Sequence, residues 1–364
     1  MSDVVFALRS DADSKPGGDT KKVDRYIAEL KELGVAAKRL TTAADLLRSS
    51  AKVCHLVNLD LPTENSNLAA IARSRGMAVV LSTVSHPYAG LEQMYNLSED
   101  RYFKILRNSA MPASIGLLMR ERFRATTGAK RFAIPLTTYL RAQRTLLSKV
   151  DRILPMSSSE LAALVEGFQI SPERSTMVHN GMNLLGPVPG VKKEPESVAI
   201  VGRIEPRKNS LALARALAKS GHRVRFAGSL NGKHGQYCRD FLAIVDQEPN
   251  IEYLGILNAS GVSRLLSRSE TYLNPSWCEV VSQADMEAVA SGCRVATTIY
   301  GYADDFTARR IGIIEPRRFI LEPENAIRDV LERATTTDVV DLQALTWRNA
   351  AAALVAVYSE LSEA

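Results

Sequence analysis

The fold of this 364-residue chain is most constrained by an alternation of short apolar runs with longer amphipathic runs, which occurs in two separate series. The first series has strand-like runs at residues 4–8, 53–59, 78–83 and 152–156, with helical spacing over residues 21–33 and 66–75. Strands that alternate with helices favour a parallel sheet, because each helix carries the chain back to the same end of the sheet. We therefore predict an α/β domain over the first half of the chain.

A second series of strands and helices follows a break in the pattern. Its strands are predicted at residues 197–201, 224–227, 251–254, 271–274, 294–297 and 311–314. The break over residues 186–196 reads Gly-Pro-Val-Pro-Gly-Val-Lys-Lys-Glu-Pro-Glu, which is typical of a linker. The chain also exceeds the usual size of one domain. The sequence thus predicts a first domain over 1–183, a linker over 184–197, a second domain over 198–345 and a terminal helix over 346–364.

The composition excludes several other classes of protein. Hydrophobic residues make up 46% of the chain and charged residues 24%, as in soluble globular proteins. No apolar run approaches the roughly 20 residues that span a bilayer, and the N-terminus has no signal-peptide pattern. The four cysteines form no CxxC pair or His cluster at metal-ligand spacing, which predicts reduced thiols in a cytoplasmic protein.

Positive charge is concentrated in residues 101–152. Twelve Lys and Arg there face only Glu121 and Asp151, so the segment carries about +10 and the rest of the chain about −4. An excess of this size favours an anionic partner surface. Solvated helix faces are the alternative.

A glycine and two basic residues follow the first strand of the second series. Gly202 permits a tight turn, and Arg203 and Lys208 stand where the strand ends. Arg can bind a diphosphate through a forked contact and Lys as a point charge. Taken alone, the motif could also be an ordinary loop with exposed basic residues. In combination with the two glutamates described next, a site that binds a diphosphate is favoured.

Glu279 and Glu287 are separated by seven residues, directly after a strand-like run. The pattern places Glu279 in a loop and Glu287 one to two turns into a helix. Both can then face the crevice at the carboxyl end of a parallel strand, where α/β sheets bind ligands. Carboxylates suit sugar and ribose hydroxyls, and helix N-terminal amides suit phosphate. This arrangement predicts a nucleotide-sugar site.

Taken together, these motifs resemble those of family-4 retaining glycosyltransferases. The resemblance rests on Gly202-Arg203-x4-Lys208 and on Pro275-Ser276-Trp277-x-Glu279-x7-Glu287, and it covers nearly the whole chain, most strongly residues 198–306. Residues 16–20 are similar to the family's N-terminal Gly-rich loop, and residues 178–183 and 346–348 to the end of its first domain and to its terminal helix. The resemblance implies the GT-B fold: two Rossmann-like parallel-sheet domains that face across a cleft, with a C-terminal helix that crosses back to the first domain.

The same resemblance implies a role for individual residues. Arg203 and Lys208 would hold the donor diphosphate, Glu279 the donor sugar and Glu287 the ribose. His86, just past a buried strand, matches the family's active-site histidine. The remaining donor-binding positions would be Gly17, Gly18, Ile256, Val281 and Ser282. The family needs no bound metal, so we expect no metal site and no cofactor besides the nucleotide-sugar substrate.

The apolar residues 110–119 run directly into the basic cluster at Arg120, Arg122 and Arg124. An apolar stretch beside basic residues suits binding in the plane of an anionic membrane. With Lys130 and Arg131, these residues form a predicted membrane and acceptor surface. Burial of residues 110–119 under a solvated basic face is the alternative. The expected location is cytoplasmic, on the inner face of the cell membrane.

The sequence thus predicts a metal-independent enzyme that moves a hexose, of mannose or rhamnose type, from a nucleoside-diphosphate sugar to a glycan or lipid-linked acceptor in surface polysaccharide synthesis. Nucleic acid is not an expected partner. The alternatives are an inactive homologue that acts as a membrane-binding scaffold and a GT-B nucleotide-sugar epimerase. Ser282, Gln283 and Asp285 depart from the family's apolar, Gly-rich pattern. Asp285 could face solvent or touch the sugar or the acceptor, so we expect the donor preference to lie here.

Overall fold

The computed structural model describes residues 4–14, 17–98, 101–125, 138–182, 186–218, 220–302, 312–334 and 345–363, without the side chains of 122–125 and 363. The strands are β1 Val4–Ala7, β2 Ala37–Leu40, β3 Val53–Val57, β4 Ala78–Ser82, β5 Arg152–Leu154, β6 Glu194–Val201, β7 Arg223–Ala227, β8 Ile251–Tyr253, β9 Ser269–Asn274, β10 Arg294–Thr298 and β11 Gly312–Ile314. The helices are α1 Gly18–Glu32, α2 Ala43–Leu47, α3 Pro62–Ser74, α4 Tyr88–Leu97, α5 Arg101–Asn108, α6 Ala113–Ala125, α7 Tyr139–Leu147, α8 Ser158–Phe168, α9 Ser210–Leu217, α10 Gly235–Gln247, α11 Ala259–Arg268, α12 Gln283–Ala290, α13 Arg318–Leu321, α14 Pro323–Arg333 and α15 Trp347–Glu363.

The described residues form two compact units. The first comprises residues 1–85, 111–182 and 343–364, and the second comprises residues 86–110 and 183–342. The chain therefore enters the second unit at His86, well before the boundary at 183 that the sequence predicts, and returns to the first unit at Met111. The basic segment 101–152 is divided between the two units. β6 begins at Glu194, inside the predicted linker.

The first unit contains a five-stranded parallel sheet in the order β2-β1-β3-β4-β5. Alternate residues of β1 enter opposite cores: Val5 and Ala7 pack with α3, α7 and α8, and Val4 and Phe6 pack with α1 and α15. Both faces of the sheet are thus covered by helices, as a parallel sheet requires. The C-terminal helix α15 packs on α1 in this unit, as the sequence predicts.

The second unit contains a six-stranded parallel sheet in the order β11-β10-β9-β6-β7-β8. From β6 the chain runs outward through β7 and β8, then returns to place β9 on the other side of β6. β6 and β9 therefore flank the point at which the strand order reverses. Ligands of such sheets bind outside the carboxyl ends of the strands at this point.

β2 is a strand that the sequence pattern did not predict. It lies at the edge of the first sheet, and its residues Ala-Lys-Arg-Leu are only half buried or exposed. Without a buried face such a strand has no apolar run to mark it. The other ten strands overlap the predicted runs. None of the described helices is both long enough and apolar enough to cross a bilayer.

Candidate active site

Arg203, Lys208 and Glu279 lie in the loops that follow β6 and β9. The loop after β6 passes through Gly202 and Arg203 to a single 3-10 turn over Pro206–Lys208, and α9 follows. The end of β7 lies against this loop at Gly228, where φ is +148° and a Cβ atom would stand 2.0 Å from the carbonyl oxygen of Gly202. Only glycine permits so close an approach, so Gly228 fixes the path of the basic loop.

Main-chain hydrogen bonds hold the loop after β9 on both sides. The Trp277 N–H donates to the Arg207 carbonyl at 2.9 Å, and the Glu279 N–H donates to the Tyr300 carbonyl at 2.8 Å. The Ser282 hydroxyl accepts a hydrogen bond from the Asp285 N–H as the N-cap of α12. Glu279 thus lies in a fixed loop and Glu287 in the helix after it, as the sequence predicts.

Lys208 and Glu279 form a direct ion pair between the two loops. The Glu279 side chain is 11% exposed. Burial alone would raise the pKa of its carboxyl group, but the charges of Lys208 and Arg207, with the hydrogen bonds from Lys208 and Ser276, outweigh burial and lower that pKa to about 2. The carboxylate is therefore ionised at every physiological pH.

Glu205 forms ion pairs with the two arginines of the same loop, Arg203 and Arg207. One of its carboxylate oxygens lies 3.0 Å from Nη2 of Arg203 and 3.4 Å from Nε of Arg207. The other accepts a hydrogen bond from Asn231 at 2.7 Å. Burial would raise the pKa of Glu205, yet its partners, Arg207 first, lower it. Arg203 is the member of this cluster that solvent or a ligand can reach, because its side chain is 52% exposed.

Glu205 and Arg207 belong to the cluster, although the sequence did not single them out. Both stand between Arg203 and Lys208 in the same motif. The sequence does show opposite charges two residues apart, which could have indicated an ion pair in this loop. The pair could not be predicted from sequence alone, because no local pattern shows which way these side chains point.

His86 reaches this cluster through Arg207. Nη1 of Arg207 lies 3.1 Å from Nε2 of His86. The segment that follows His86 packs closely on the β9 loop: a Cβ atom at Gly90 would stand 2.3 Å from the Trp277 carbonyl oxygen and 2.7 Å from Cβ of Tyr300. A glycine on α4 therefore allows the histidine segment to lie beside the site loops.

Glu287 is half buried on α12, and within the described ranges no hydrogen bond or ion pair joins its carboxylate. Burial raises the pKa of Glu287 to about 7. Carboxyl groups whose pKa is raised by burial are found at ligand-binding and catalytic sites more often than elsewhere.

Asp285, for which the sequence left solvent, the sugar and the acceptor open, is buried against the second sheet. It is 1% exposed and accepts hydrogen bonds from the Tyr272 hydroxyl at 3.0 Å, from Asn274 Nδ2 at 2.8 Å and from the Thr297 hydroxyl. Tyr272 and Asn274 lie on β9 and Thr297 on β10, so this carboxylate ties α12 to the ends of both strands. Asp285 therefore does not face solvent, because three side chains of β9 and β10 donate hydrogen bonds to its buried carboxylate.

The other predicted donor-binding residues differ in exposure. Ile256, after β8, is 78% exposed, and Val281 and Ser282 are buried in the loop before α12. Gly17 and Gly18 lie in the first unit, at the start of α1. A Cβ atom at Gly17 would meet a carboxylate oxygen of Asp19 at 2.7 Å, whereas one at Gly18 would meet nothing within 4 Å. Asp19 itself pairs with Arg9 and accepts from the Thr20 N–H.

The predicted membrane surface is described only in part. Leu117 and Leu118 of α6 are buried, which agrees with the alternative that residues 110–119 include core positions. Arg120 is half buried. The side chains of Arg122 and Arg124 are not described, and Lys130 and Arg131 lie outside the described residues. Within the described ranges no group of three or more His, Cys, Asp or Glu is placed to hold a metal ion.

The two parallel sheets, their strand orders and the terminal helix on the first unit define the GT-B fold, as predicted. The fold is shared along the full length of both chains with Anabaena HepE in complex with UDP and glucose (TM-score 0.57, 13% identity). It is also shared over 99% of both chains with the sucrose-phosphate synthase of Thermosynechococcus elongatus (TM-score 0.66, 14% identity).

The sequence relatives are glycosyltransferases, which supports the resemblance to family 4. A D-inositol 3-phosphate glycosyltransferase of Mycobacterium ulcerans is 28% identical over 182 residues, which cover 46% of this chain and 39% of the relative. An N-acetylgalactosamine-N,N'-diacetylbacillosaminyl-diphospho-undecaprenol 4-alpha-N-acetylgalactosaminyltransferase of Campylobacter jejuni is 27% identical over 164 residues, 42% of each chain. This chain therefore spans about two fifths of the length of the curated relatives it matches. No family model matches the sequence.

Proposed function

We propose that this protein is a retaining glycosyltransferase, which moves a hexose of mannose or rhamnose type from a nucleoside-diphosphate sugar to a glycan or lipid-linked acceptor in surface polysaccharide synthesis. The observation that carries the proposal is the Lys208–Glu279 pair at the carboxyl ends of β6 and β9, with Arg203, Glu205 and Arg207 around it. A cation for phosphate and a carboxylate for hydroxyls are thereby joined where this type of sheet binds its ligands.

The donor diphosphate would be bound by Arg203 and Lys208. Arg203 offers an exposed guanidinium that suits a forked contact with phosphate oxygens. Lys208 is paired with Glu279, and an arriving phosphate would share or take over its ammonium group. Positive charge held here stabilises the leaving nucleotide as the glycosidic bond breaks.

The sugar and the ribose would be bound by the two glutamates. Glu279 is ionised, since its pKa is about 2, so it can accept hydrogen bonds from sugar hydroxyls. The hydroxyls of a ribose would give Glu287 the hydrogen bonds that it does not make within the described residues. Ile256, with its exposed side chain, would lie against the nucleobase, and Val281 and Ser282 would line the phosphate and sugar.

The named relatives support the donor and acceptor classes. HepE was solved with UDP and glucose, and the Campylobacter relative is named for transfer to a diphospho-undecaprenol glycan. We propose the same classes here: a nucleoside-diphosphate sugar as donor and a glycan or lipid-linked acceptor.

We further propose that Arg203 and Lys208 supply the positive charge that a metal ion supplies elsewhere. Transfer should then persist in a chelator, and a loss reversed by added metal would contradict this part.

A thermal-shift screen with UDP, GDP, ADP and dTDP tests the donor class. A ligand at 100 times its Kd stabilises the folded state by about 2.7 kcal/mol, so one nucleotide should raise Tm clearly above the others. Lys208→Ala and Glu279→Ala should abolish transfer while the far-UV circular dichroism is unchanged. Lys192→Ala removes an exposed lysine of the same unit and serves as the control. Full turnover in both site variants would rule out the assignment.

We also propose that the first unit meets an anionic membrane through Arg120, Arg122, Arg124, Lys130 and Arg131. Each basic residue near such a surface contributes about 1 kcal/mol, and salt weakens the contribution. Wild-type protein should sediment with phosphatidylserine vesicles at low salt, and charge reversal of Arg120, Arg122 and Arg124 should reduce the bound fraction. Failure of the wild type to sediment would end this proposal and leave the transferase proposal intact.

A further inference from the structure

We propose that Arg207 is a positioning residue for His86, which it holds as the neutral tautomer with its proton on Nδ1. His86 would then act in the transfer as a hydrogen-bonding group and not as an acid. The tautomer is a property of the contact itself, whereas its catalytic consequence rests on the proposed function.

The argument begins with the chemistry of the two side chains. A guanidinium group has five N–H donors and no acceptor. Nη1 of Arg207 lies 3.1 Å from Nε2 of His86, which is the distance of an N–H···N hydrogen bond. Arg207 must donate, so Nε2 must present its lone pair. The neutral ring then carries its proton on Nδ1.

The same contact is incompatible with the other tautomer. A proton on Nε2 would set an N–H donor of the ring against an N–H donor of Arg207 at 3.1 Å. Arg207 cannot become the acceptor, because a guanidinium group offers donors only.

Arg207 is held on several sides, so the contact does not depend on a freely rotating side chain. Its Nε faces Glu205 at 3.4 Å, and its carbonyl oxygen accepts from the Trp277 N–H at 2.9 Å. Glu205 is in turn held by Asn231 at 2.7 Å and by Arg203 at 3.0 Å. Burial lowers the pKa of Arg207, but Glu279, Cys278 and Glu205 outweigh burial and raise it.

The histidine end of the contact is also anchored. His86 is the residue at which the chain enters the second unit, and Pro87 and α4 follow at once. Gly90 of α4 packs against the Trp277 carbonyl and Tyr300, so α4 lies in close contact with the loop that follows β9. Both partners of the contact thus approach the same loop, which also carries Glu279.

Imidazole 15N NMR of uniformly 15N-histidine-labelled protein reads the tautomer without any substrate. The chain has five histidines, and the His86 signals are those that vanish in His86→Gln. At neutral pH wild type should show a protonated Nδ1 and an unprotonated Nε2. Arg207→Lys keeps a donor-only partner and should retain this pattern. Arg207→Met removes the donor and should move the proton towards Nε2, the site that histidine favours in water.

Arg264→Gln, a change at an exposed arginine of the same unit, is the control and should leave the His86 signals unchanged. A proton on Nε2 in folded wild type, or an imidazolium at neutral pH, would overturn the proposal. So would an identical Nδ1–H pattern in folded Arg207→Met, since the arginine would then be irrelevant to the tautomer.

Kinetics test the catalytic consequence separately. A hydrogen bond to a charged group contributes about 1.5–3 kcal/mol, which corresponds to about 10- to 150-fold in rate. Arg207→Met should lower kcat by this factor with a smaller change in the KM for donor, and Arg207→Lys should recover most of it. Unchanged kcat in Arg207→Met would overturn the positioning role. If wild type transfers no sugar, the proposed function fails while the tautomer can still be observed.

Discussion

At the scale of residues, the site depends on charges that balance one another in pairs. Lys208 compensates Glu279, and Arg203 and Arg207 share Glu205. Removing one member of such a pair leaves a poorly hydrated charge, which costs more than the pair itself contributes. The site should therefore be sensitive to single substitutions and to pH.

The pH dependence follows from the pKa of Glu279. The folded-state value of about 2 lies below the usual glutamate value, so the unfolded chain binds the proton more tightly. The pair's contribution to stability is complete above about pH 4.5 and is lost as the pH falls through 2. Wild type should exceed Glu279→Gln in free energy of unfolding by on the order of 3 kcal/mol at pH 6, and the difference should shrink towards pH 2.

Trp277 lies two residues from Glu279 and is fully buried, so its fluorescence in a Trp347→Phe background reports the unfolding of this unit. Glu324→Gln, a change at an exposed glutamate, is the control and should show no such pH-dependent difference. A difference between wild type and Glu279→Gln that stays constant from pH 6 to 3 would contradict the ion-pair account.

The sequence allowed part of this site to be predicted, for a physical reason. Arg203, Lys208 and Glu279 stand in loops at strand ends, and strand ends are visible as the limits of apolar runs. The burial of Asp285 could not be predicted, because a charged residue in the first turn of a helix usually faces solvent. The three donors that hold it come from β9 and β10, and the pairing of those strands is not a local property.

At the scale of elements, ten of eleven described strands could be predicted because they are buried runs, whereas the edge strand β2 could not. The allocation of α4 to the second unit was also beyond the sequence pattern. It depends on the fit of Gly90 to the loop after β9, some 190 residues further along the chain. Contacts at such separation leave no periodicity in the sequence.

The C-terminal helix α15 is held to the first sheet by a buried polar contact. The Tyr358 hydroxyl lies 2.5 Å from Nδ1 of His55 on β3, and Ser82 of β4 lies 2.8 Å from Nε2. Burial first, and the charge of Lys22 second, lower the pKa of His55 to about 3, so the ring is neutral and needs both partners. Tyr358→Phe should lower the free energy of unfolding of the first unit by about 1–3 kcal/mol.

Trp347 of α15 reports this unit in a Trp277→Phe background. Tyr253→Phe is the matched control, because it removes a hydroxyl that donates to the Gly228 carbonyl at 2.7 Å in the second unit. It should affect the transition seen by Trp277 instead. If Tyr358→Phe leaves the Trp347 transition where it was, the contact does not anchor α15.

At the scale of the whole molecule, the chain forms two compact units, and each unit is built from segments that are not contiguous in sequence. Residues 86–110 leave the first series of strands to join the second unit, and residues 343–364 return to the first. All the predicted cations and carboxylates of the donor site lie in the second unit, with His86, whereas Gly17 and Gly18 lie in the first. Each unit carries one of the two tryptophans, so ligand binding can be assigned to a unit by fluorescence.

A nucleoside diphosphate should stabilise the second unit more than the first. Binding to the folded state alone raises the free energy of unfolding by about 2.7 kcal/mol at 100 times Kd, and that gain belongs to the unit that holds the ligand. In saturating nucleotide the Trp277 transition should move to higher denaturant, and Lys208→Ala should abolish the shift. A Trp347 transition that moves while the Trp277 transition stays fixed would place the nucleotide in the first unit and contradict the assignment of the donor site to β6 and β9.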